Sequence, residues 1–375
     1  EISAEAESLG AQIGTGSNLD VSSVTLSALT DELEPSLELY ADVVRNPAFD
    51  QEEMDRFRQR LLAQIEQEQN QPVGVALRSL PPIMYGDDHA YGIPFTGSGT
   101  AESVKSLVRE DLVNFHETWV RPDNATIFVV GDVTMAEIKP LLEKQFGNWK
   151  TPRTPLPAKN IAAVERPDSP QVFLVDKPGA PQSLILAGHV APPEGVENNL
   201  AIQTMNDVIG GQFTARVNMN LREDKGWAYG AFTLLYPARG QRPFFVYAPV
   251  QTDKTVESIE ELTLELNSYL DDRPTTTDEL ERKVKNSVRS LPGQFETGGA
   301  VLGALLSNQR FGRPDDYVTS LKDKYEALDV GDLEQAAAET IHPQSMTWMI
   351  VGDLEKIEQP IRDMNLGEVR IITAN

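Results

Sequence analysis

Thr347-Trp348-Met349-Ile350-Val351-Gly352-Asp353-Leu354 repeats the plan of Thr126-Ile127-Phe128-Val129-Val130-Gly131-Asp132-Val133: a short β-branched and aromatic run closed by Gly-Asp. Working outward, Glu110-Asp111-Leu112 and Pro122 before the first run correspond to Gly331-Asp332-Leu333 and Pro343 before the second. Asp111 to Asp332, Pro122 to Pro343 and Gly131 to Gly352 are each 221 positions apart, so no gap is needed. Further upstream, Leu37-Glu38-Leu39 through Pro47 matches Leu264-Glu265-Leu266 through Pro274 with an offset of 227. A period this long is a duplicated domain, because solenoid repeats are only some 20 to 50 residues long. Between the copies, residues 151–170 carry Pro152, Pro155, Pro157, Pro167 and Pro170 and read as a semi-rigid linker. The expected division is residues 1–150, the linker, and residues 171–375.

Within each copy helices alternate with short strands. Leu37, Tyr40, Ala41 and Val44 recur at i, i+3, i+4 and i+7, with Pro35 placed to begin that helix. Asp50 followed by Glu53 predicts another helix start, with Met54, Phe57, Leu61 and Ile65 on one side. Leu112, Phe115, His116 and Trp119 form a third stripe, and Ile138, Leu141, Leu142 and Phe146 a fourth. Residues 126–130, 172–175, 183–187 and 244–250 read as strands. The expected class is α+β: two homologous repeats, each a mostly antiparallel sheet layered with helices.

Composition narrows the function classes. The 375 residues are 40% hydrophobic and 24% charged, ordinary for a globular protein of about two domains. The chain has no cysteine, which removes disulfides, thiolate nucleophiles and thiolate zinc sites together. No apolar run is long enough to span a bilayer. A net charge of -24 argues against nucleic acid and favours basic or neutral peptides, while also serving solubility. The first residue is Glu1 rather than Met, so further sequence is expected upstream, a signal peptide being one candidate.

The most specific segment is residues 208–230, VIGGQFTARVNMNLREDKGWAYG. Gly210-Gly211 should break a helix whose inward face is Ala201, Met205, Val208 and Ile209. A second helix is expected to carry Phe213, Val217 and Leu221, with Tyr229 opening the next strand. Two glycines, a helix and then Leu-Arg-Glu-x-x-Gly-x-Ala-Tyr resembles the second domain of pitrilysin/insulinase-type metallopeptidases. The stretch Tyr85-Gly86-Asp87-Asp88-His89-Ala90-Tyr91-Gly92 is similar to that family's Tyr-Gly-x-x-His-Pro-Tyr-Gly loop, and both Val-Gly-Asp strand ends agree. The resemblance runs over essentially the whole chain and implies half of a clamshell. It also implies that Arg222 and Tyr229 reach a substrate held at another domain's zinc. A guanidinium and a phenol can both donate to a peptide carbonyl, including one becoming an oxyanion. The plainer alternative is that Arg222 pairs with a carboxylate near a helix end and Tyr229 is a surface strand residue.

Active members of such a family carry His-x-x-Glu-His on a helix, with a distal glutamate as third ligand. This chain has only His89, His116, His189 and His342, none within four positions of another. Shifted back by the repeat offset, the helix at Gly210–Arg222 has its counterpart just upstream of residue 1, where the resemblance implies the zinc motif of active members. For the third ligand, alignment selects Gln64, a poor zinc ligand, or Glu66 after a two-residue slip; Glu66 and Glu68 otherwise read as solvated charges. His116 reads as a packed core residue and His89 as a structural turn residue, while His189 and His342 have no acidic or histidine neighbour in sequence. Glu223 and Asp224 read as solvated charges rather than an acid–base pair. No Walker loop or Gly-x-Ser-x-Gly elbow is present, and residues 293–299 are loop-like.

These observations lead to a non-catalytic subunit of a zinc metallopeptidase, with no catalytic residue, metal or cofactor of its own. It would supply Arg222, Tyr229 and a chamber wall to a zinc-bearing paralogous partner acting on peptide substrates, with homodimers when isolated. Two alternatives stand beside it: a structural or assembly protein that kept the peptidase fold, and a piece of an active zinc endopeptidase whose motif lies upstream of Glu1. The expected location is the periplasm or cell envelope.

Overall fold

The computed structural model describes residues 2–373. In the first half, α1 (Ile2–Ser8) leads into the hairpin β1 (Gln12–Ser17) and β2 (Ser22–Ser27). It is followed by α2 (Leu33–Arg45), α3 (Gln51–Asn70), α4 (Pro72–Tyr85), α5 (Ala101–Ser106), α6 (Arg109–Trp119) and α7 (Met135–Phe146). The second half opens with β3 (Gln171–Asp176), β4 (Gln182–Ala191), α8 (Asn199–Asn206) and the short α9 (Arg216–Asn218). Then come β5 (Phe232–Leu235), β6 (Arg242–Gln251), α10 (Thr255–Leu270), α11 (Thr277–Gln294), α12 (Gly298–Phe311) and α13 (Leu321–Glu326). The chain closes with α14 (Val330–Thr340), β7 (Thr347–Gly352), α15 (Leu354–Asp363) and β8 (Glu368–Ile371).

The duplication is visible element by element. Helices α6 and α14 have the same length and lie 221 residues apart, as do the proline-led turns Pro122–Asn124 and Pro343–Ser345. Their first turns are closed alike: Asp111 accepts from the Val108 N–H at 2.8 Å, and Asp332 from the Asp329 N–H at 2.9 Å. The hairpins also share a register. Gln12 faces Ser27 and Phe232 faces Tyr247, so both members of the pair are displaced by 220 positions. Asp50 caps α3, its Oδ1 accepting from the N–H groups of Glu52 and Glu53 at 2.9 and 3.2 Å.

The six-stranded sheet runs β5-β6-β4-β7-β3-β8. Its pairs are antiparallel from β5 to β7 and parallel from β7 to β8, a mixed α+β sheet. Side chains alternate across it. Val172, Leu174, Ile185, Phe244, Val246, Trp348 and Ile350 face a layer containing Ile202, Met205, Ile259, Leu262, Leu333 and Ile357. Phe173, Val175, Leu184, Phe245, Met349 and Val351 on the other face meet Val75, Ala76 and Leu80 of α4. Two covered faces explain why β7 reads as an uninterrupted apolar run rather than an alternating one.

Two compact units form, and they cross the halves of the sequence. Among the described residues one contains 2–63, 101–159 and 295–310; the other contains 64–100, 160–294 and 311–373. Helix α4 from the first half therefore packs in the unit of the second-half sheet, while most of its repeat counterpart α12 belongs to the first. The segment 151–170 is tied down along its length. Arg121 donates to the Thr154 carbonyl at 2.9 Å in one unit, and Asn160 O accepts from the Ala90 N–H at 2.8 Å in the other.

Three expectations need correction. Residues 126–130 form no strand: among the described residues their backbone pairs with nothing, and Ile127 and Val129 are each 42% exposed. Phe213 is not on a buried helical stripe; it precedes α9 and is exposed, whereas Val217 and Leu221 are buried. Tyr229 does not open a strand, since β5 begins at Phe232 and only Ala228 makes an isolated bridge, to Val250.

Candidate functional site

The helix of α8 ends in a wide turn over Asp207–Gly211, and a second wide turn over Met219–Asp224 follows α9. Gly210 is required where the first turn meets β5, because a Cβ there would lie 2.4 Å from Thr233 Oγ1 and 2.5 Å from its backbone N. Gly226, at φ +67°, reverses the chain after the second turn and sends it toward Tyr229. Around these turns three side chains gather: Phe213, Arg222 and Tyr229.

Arg222 is held between two rings. Its guanidinium carbon lies 4.6 Å from the Phe213 ring centre and 4.9 Å from that of Tyr229. Nε donates to Glu223 at 3.0 Å and Nη1 to the Tyr229 carbonyl at 2.8 Å. Nη2 has no protein acceptor among the described residues. The Tyr229 side chain is 82% exposed and Phe213 is 52% exposed, so the group faces outward. It offers hydrogen-bond donors flanked by apolar rings, which suits an extended peptide with its carbonyls and side chains.

The scaffold beneath is closely hydrogen-bonded. Asn218 is fully buried; its Nδ2 donates to the Phe213 carbonyl at 2.6 Å and its Oδ1 accepts from the Ala231 N–H at 3.0 Å. One side chain thus fixes the backbone on both flanks of Arg222. Thr233 donates to Asn206 Oδ1 at 2.9 Å, joining α8 to β5. Arg216 makes a two-pronged pair with Glu279 at 2.9 and 2.6 Å and lies over the Tyr269 ring. Burial pushes the Glu279 carboxyl up, but hydrogen bonds from Arg216 and Thr276 outweigh it and hold it down at about 2.

Sequence reasoning placed Arg222 and Tyr229 and missed Phe213 and Asn218. Phe213 read as core because it falls four residues before Val217. The signal against that was the neighbouring Gly210-Gly211, which stops the helix before the spacing can apply. For Asn218, no sequence pattern marks a buried asparagine that bridges two loops.

Comparison with known proteins identifies the family. The family model described as Peptidase M16 inactive domain matches residues 106–287, and the one described as Insulinase (Peptidase family M16) matches residues 1–93. The chain belongs to peptidase family M16. Among M16 relatives, the uncharacterised zinc protease YmxG of Bacillus subtilis is 25% identical over 62% of this chain and 54% of its own length. The uncharacterised zinc protease ML0855 of Mycobacterium leprae is 26% identical over 76% of this chain and 62% of its own. The chain therefore spans between half and two thirds of these relatives. A crystal structure of a peptidase M16 inactive domain from Pseudomonas fluorescens superposes with a TM-score of 0.82 at 22% identity, covering 94% of this chain and 83% of that one. That likeness shows the fold.

The M16 family implies zinc, and the described residues do not fit it. Among them no three His, Asp or Glu side chains gather where a metal could be held. His116 Nε2 sits 2.7 Å from the Val44 carbonyl and His89 Nε2 3.2 Å from that of Ala162, while His89 Nδ1 accepts from the Tyr91 N–H at 3.0 Å. Gln64 turns its amide to Glu68 at 2.9 Å and Glu66 is exposed. Glu68 corrects an expectation: it is not a solvated charge, since its side chain is 14% exposed and accepts from Ser98 at 2.6 Å and Arg78 at 2.9 Å. Burial raises its proton affinity, but those hydrogen bonds outweigh it and keep the carboxyl below its ordinary range. The fold also makes neighbours of His189 and His342, which sequence separates; their ring centres lie 5.4 Å apart and His189 Nε2 accepts the His342 backbone N–H at 3.1 Å.

Proposed function

We propose that this M16 chain is the peptide-holding, non-catalytic part of a zinc peptidase. Arg222 and Tyr229 bind the substrate backbone, and a zinc-bearing paralogous partner supplies metal and base. The observation that carries this reading is the outward-facing Arg222 held between Phe213 and Tyr229 on a backbone pinned by Asn218. An arginine needed only for an ion pair would not require that frame. The acidic surface, net charge -24, would draw basic peptides toward the site. The expected location is the periplasm or envelope, and fractionation finding the protein in the cytosol would overturn that part.

The test is peptide hydrolysis by the complex with the zinc-bearing subunit. Arg222→Ala and Tyr229→Phe should each lower kcat/KM by about 10-fold or more, the scale of a lost transition-state hydrogen bond. Full activity in both variants removes the substrate role and leaves a structural or assembly protein. One observation favours a second reading: the matched relatives are longer than this chain and carry the name zinc protease. The zinc-bearing partner would then be another part of the same polypeptide, and a His-x-x-Glu-His upstream of Glu1 in the reading frame would establish it.

A further inference from the structure

At one end of the six-stranded sheet three strand termini meet the last turn of α4. β3 begins at Gln171 and β7 at Thr347, which stand opposite each other in parallel register. On the other side of β7, Gly188 of β4 faces Thr347, and β4 continues to Val190. Side chains alternate across a sheet, so Gln171, Thr347 and Val190 share the face of Phe173, Met349 and Leu186, the face that meets α4. Here Ile83 and Met84 of α4, residues 165–167 and the strand ends enclose a cavity of about 240 Å³, all of it within one compact unit. Ile83, Met84 and Val190 give it an apolar wall. Arg166, Gln171 and Thr347 bring hydrogen-bond donors that the protein leaves unused. Thr347 is only 3% exposed, yet among the described residues neither its hydroxyl nor the Gln171 side-chain amide makes a hydrogen bond. Arg166 donates Nη1 to the Val190 carbonyl at 3.4 Å, and its Nε and Nη2 have no acceptor among the described residues. Glu165, on the rim, has no cation partner among them either.

Unused donors beside an apolar wall specify the ligand. A guanidinium, a hydroxyl and an amide together match the two oxygens of a carboxylate. The net charge of -24 discourages anions at long range, so the single local cation suits one negative charge rather than a polyanion. The cavity is smaller than the about 300–1,000 Å³ that takes drug-sized ligands, which leaves room for one short aliphatic side chain. We propose that it binds the α-carboxylate of a small apolar amino acid, either free or as the last residue of a peptide. Glu165 accepts from the nitrogen of that residue, an ammonium in the free amino acid and an amide N–H at a peptide end. None of these residues belongs to the group around Arg222, so the proposal is independent of the role given to that group.

Calorimetric titration of the chain with L-leucine, acetyl-alanyl-leucine and leucinamide tests it, and needs no peptidase activity. At least one of the two carboxylates should bind with Kd below about 1 mM, and leucinamide about 10-fold more weakly or worse. Arg166→Ala, on the exposed rim, should weaken binding by about 10-fold or more. The near-isosteric Thr347→Val should weaken it by about 5-fold. Neither variant should lower the urea midpoint, which separates a lost ligand contact from lost folding. Binding of leucine alone assigns the site to the free amino acid, and equal binding of acetyl-alanyl-leucine assigns it to peptide ends. No binding by any of the three compounds overturns the proposal. So does leucinamide binding as tightly as leucine, or an affinity unchanged in both variants.

Discussion

Residues 126–131 and 347–352 are copies of one segment with opposite fates. Trp348 and Ile350 are almost wholly buried in a six-stranded sheet, while their counterparts Ile127 and Val129 lie open. The flanking elements are alike, down to the carboxylate that caps α6 and α14 and the proline-led turn that follows each helix. What differs is the neighbour: β4 and β3 bracket β7. β-propensity is a statement about fitting a pleated, half-buried surface, and without flanking strands the same residues remain extended chain.

The contrast can be broken most directly by truncating the buried member. Trp348→Ala should cost about 3–5 kcal/mol, read as a lower urea midpoint of the second-half unit. A loss below 1 kcal/mol would mean that the packing around β7 is not what separates the copies. Acid gives the next largest effect and should strike the same unit. His189 is buried beside Phe244, its Nδ1–H donating to the Val190 carbonyl at 3.1 Å while Nε2 accepts from His342. Burial, aided by the charge of His342 and Arg166, lowers its pKa to about 3. The folded state binds this proton more weakly than the unfolded chain does. The contribution is therefore full above the ordinary 6.5 and is lost as pH falls toward 3, by up to about 5 kcal/mol. His189→Gln should flatten that part of the pH dependence in urea titrations; an unchanged slope would assign it elsewhere.

A smaller loss is expected at the candidate site. Asn218→Ala removes two buried hydrogen bonds and should cost about 2 kcal/mol, with peptide binding weakened as Phe213 and Tyr229 loosen. Stability lost with binding intact would show that the site does not depend on that frame. The smallest effect completes the comparison: Val129→Ala in this chain should change stability by no more than about 0.5 kcal/mol, an exposed substitution. A cost near that of Trp348→Ala would show that residues 126–131 are already packed as a strand.

Much of this was legible in sequence because it is local or periodic. The repeat survives as identical spacings, the caps are single residues at fixed offsets, and the strands of the second half announce themselves as short apolar runs. Arg222 and Tyr229 were legible through the motif around them. Phe213 was misread because helical spacing was extended through a glycine pair that ends the helix. Glu68 was misread because its partners, Ser98 and Arg78, are 30 and 10 residues away.

The amino-acid order alone determined the duplication and the α+β class, since each rests on spacing along one stretch of chain, while Arg222 and Tyr229 were singled out by the family resemblance of the motif around them. Only the tertiary structure decided that α4 and α12 pack across the halves, and that Asn218 ties together the loops around Arg222. Those outcomes depend on groups distant in sequence meeting in space. Burial, pairing and hydrogen bonding belong to that meeting rather than to either partner by itself.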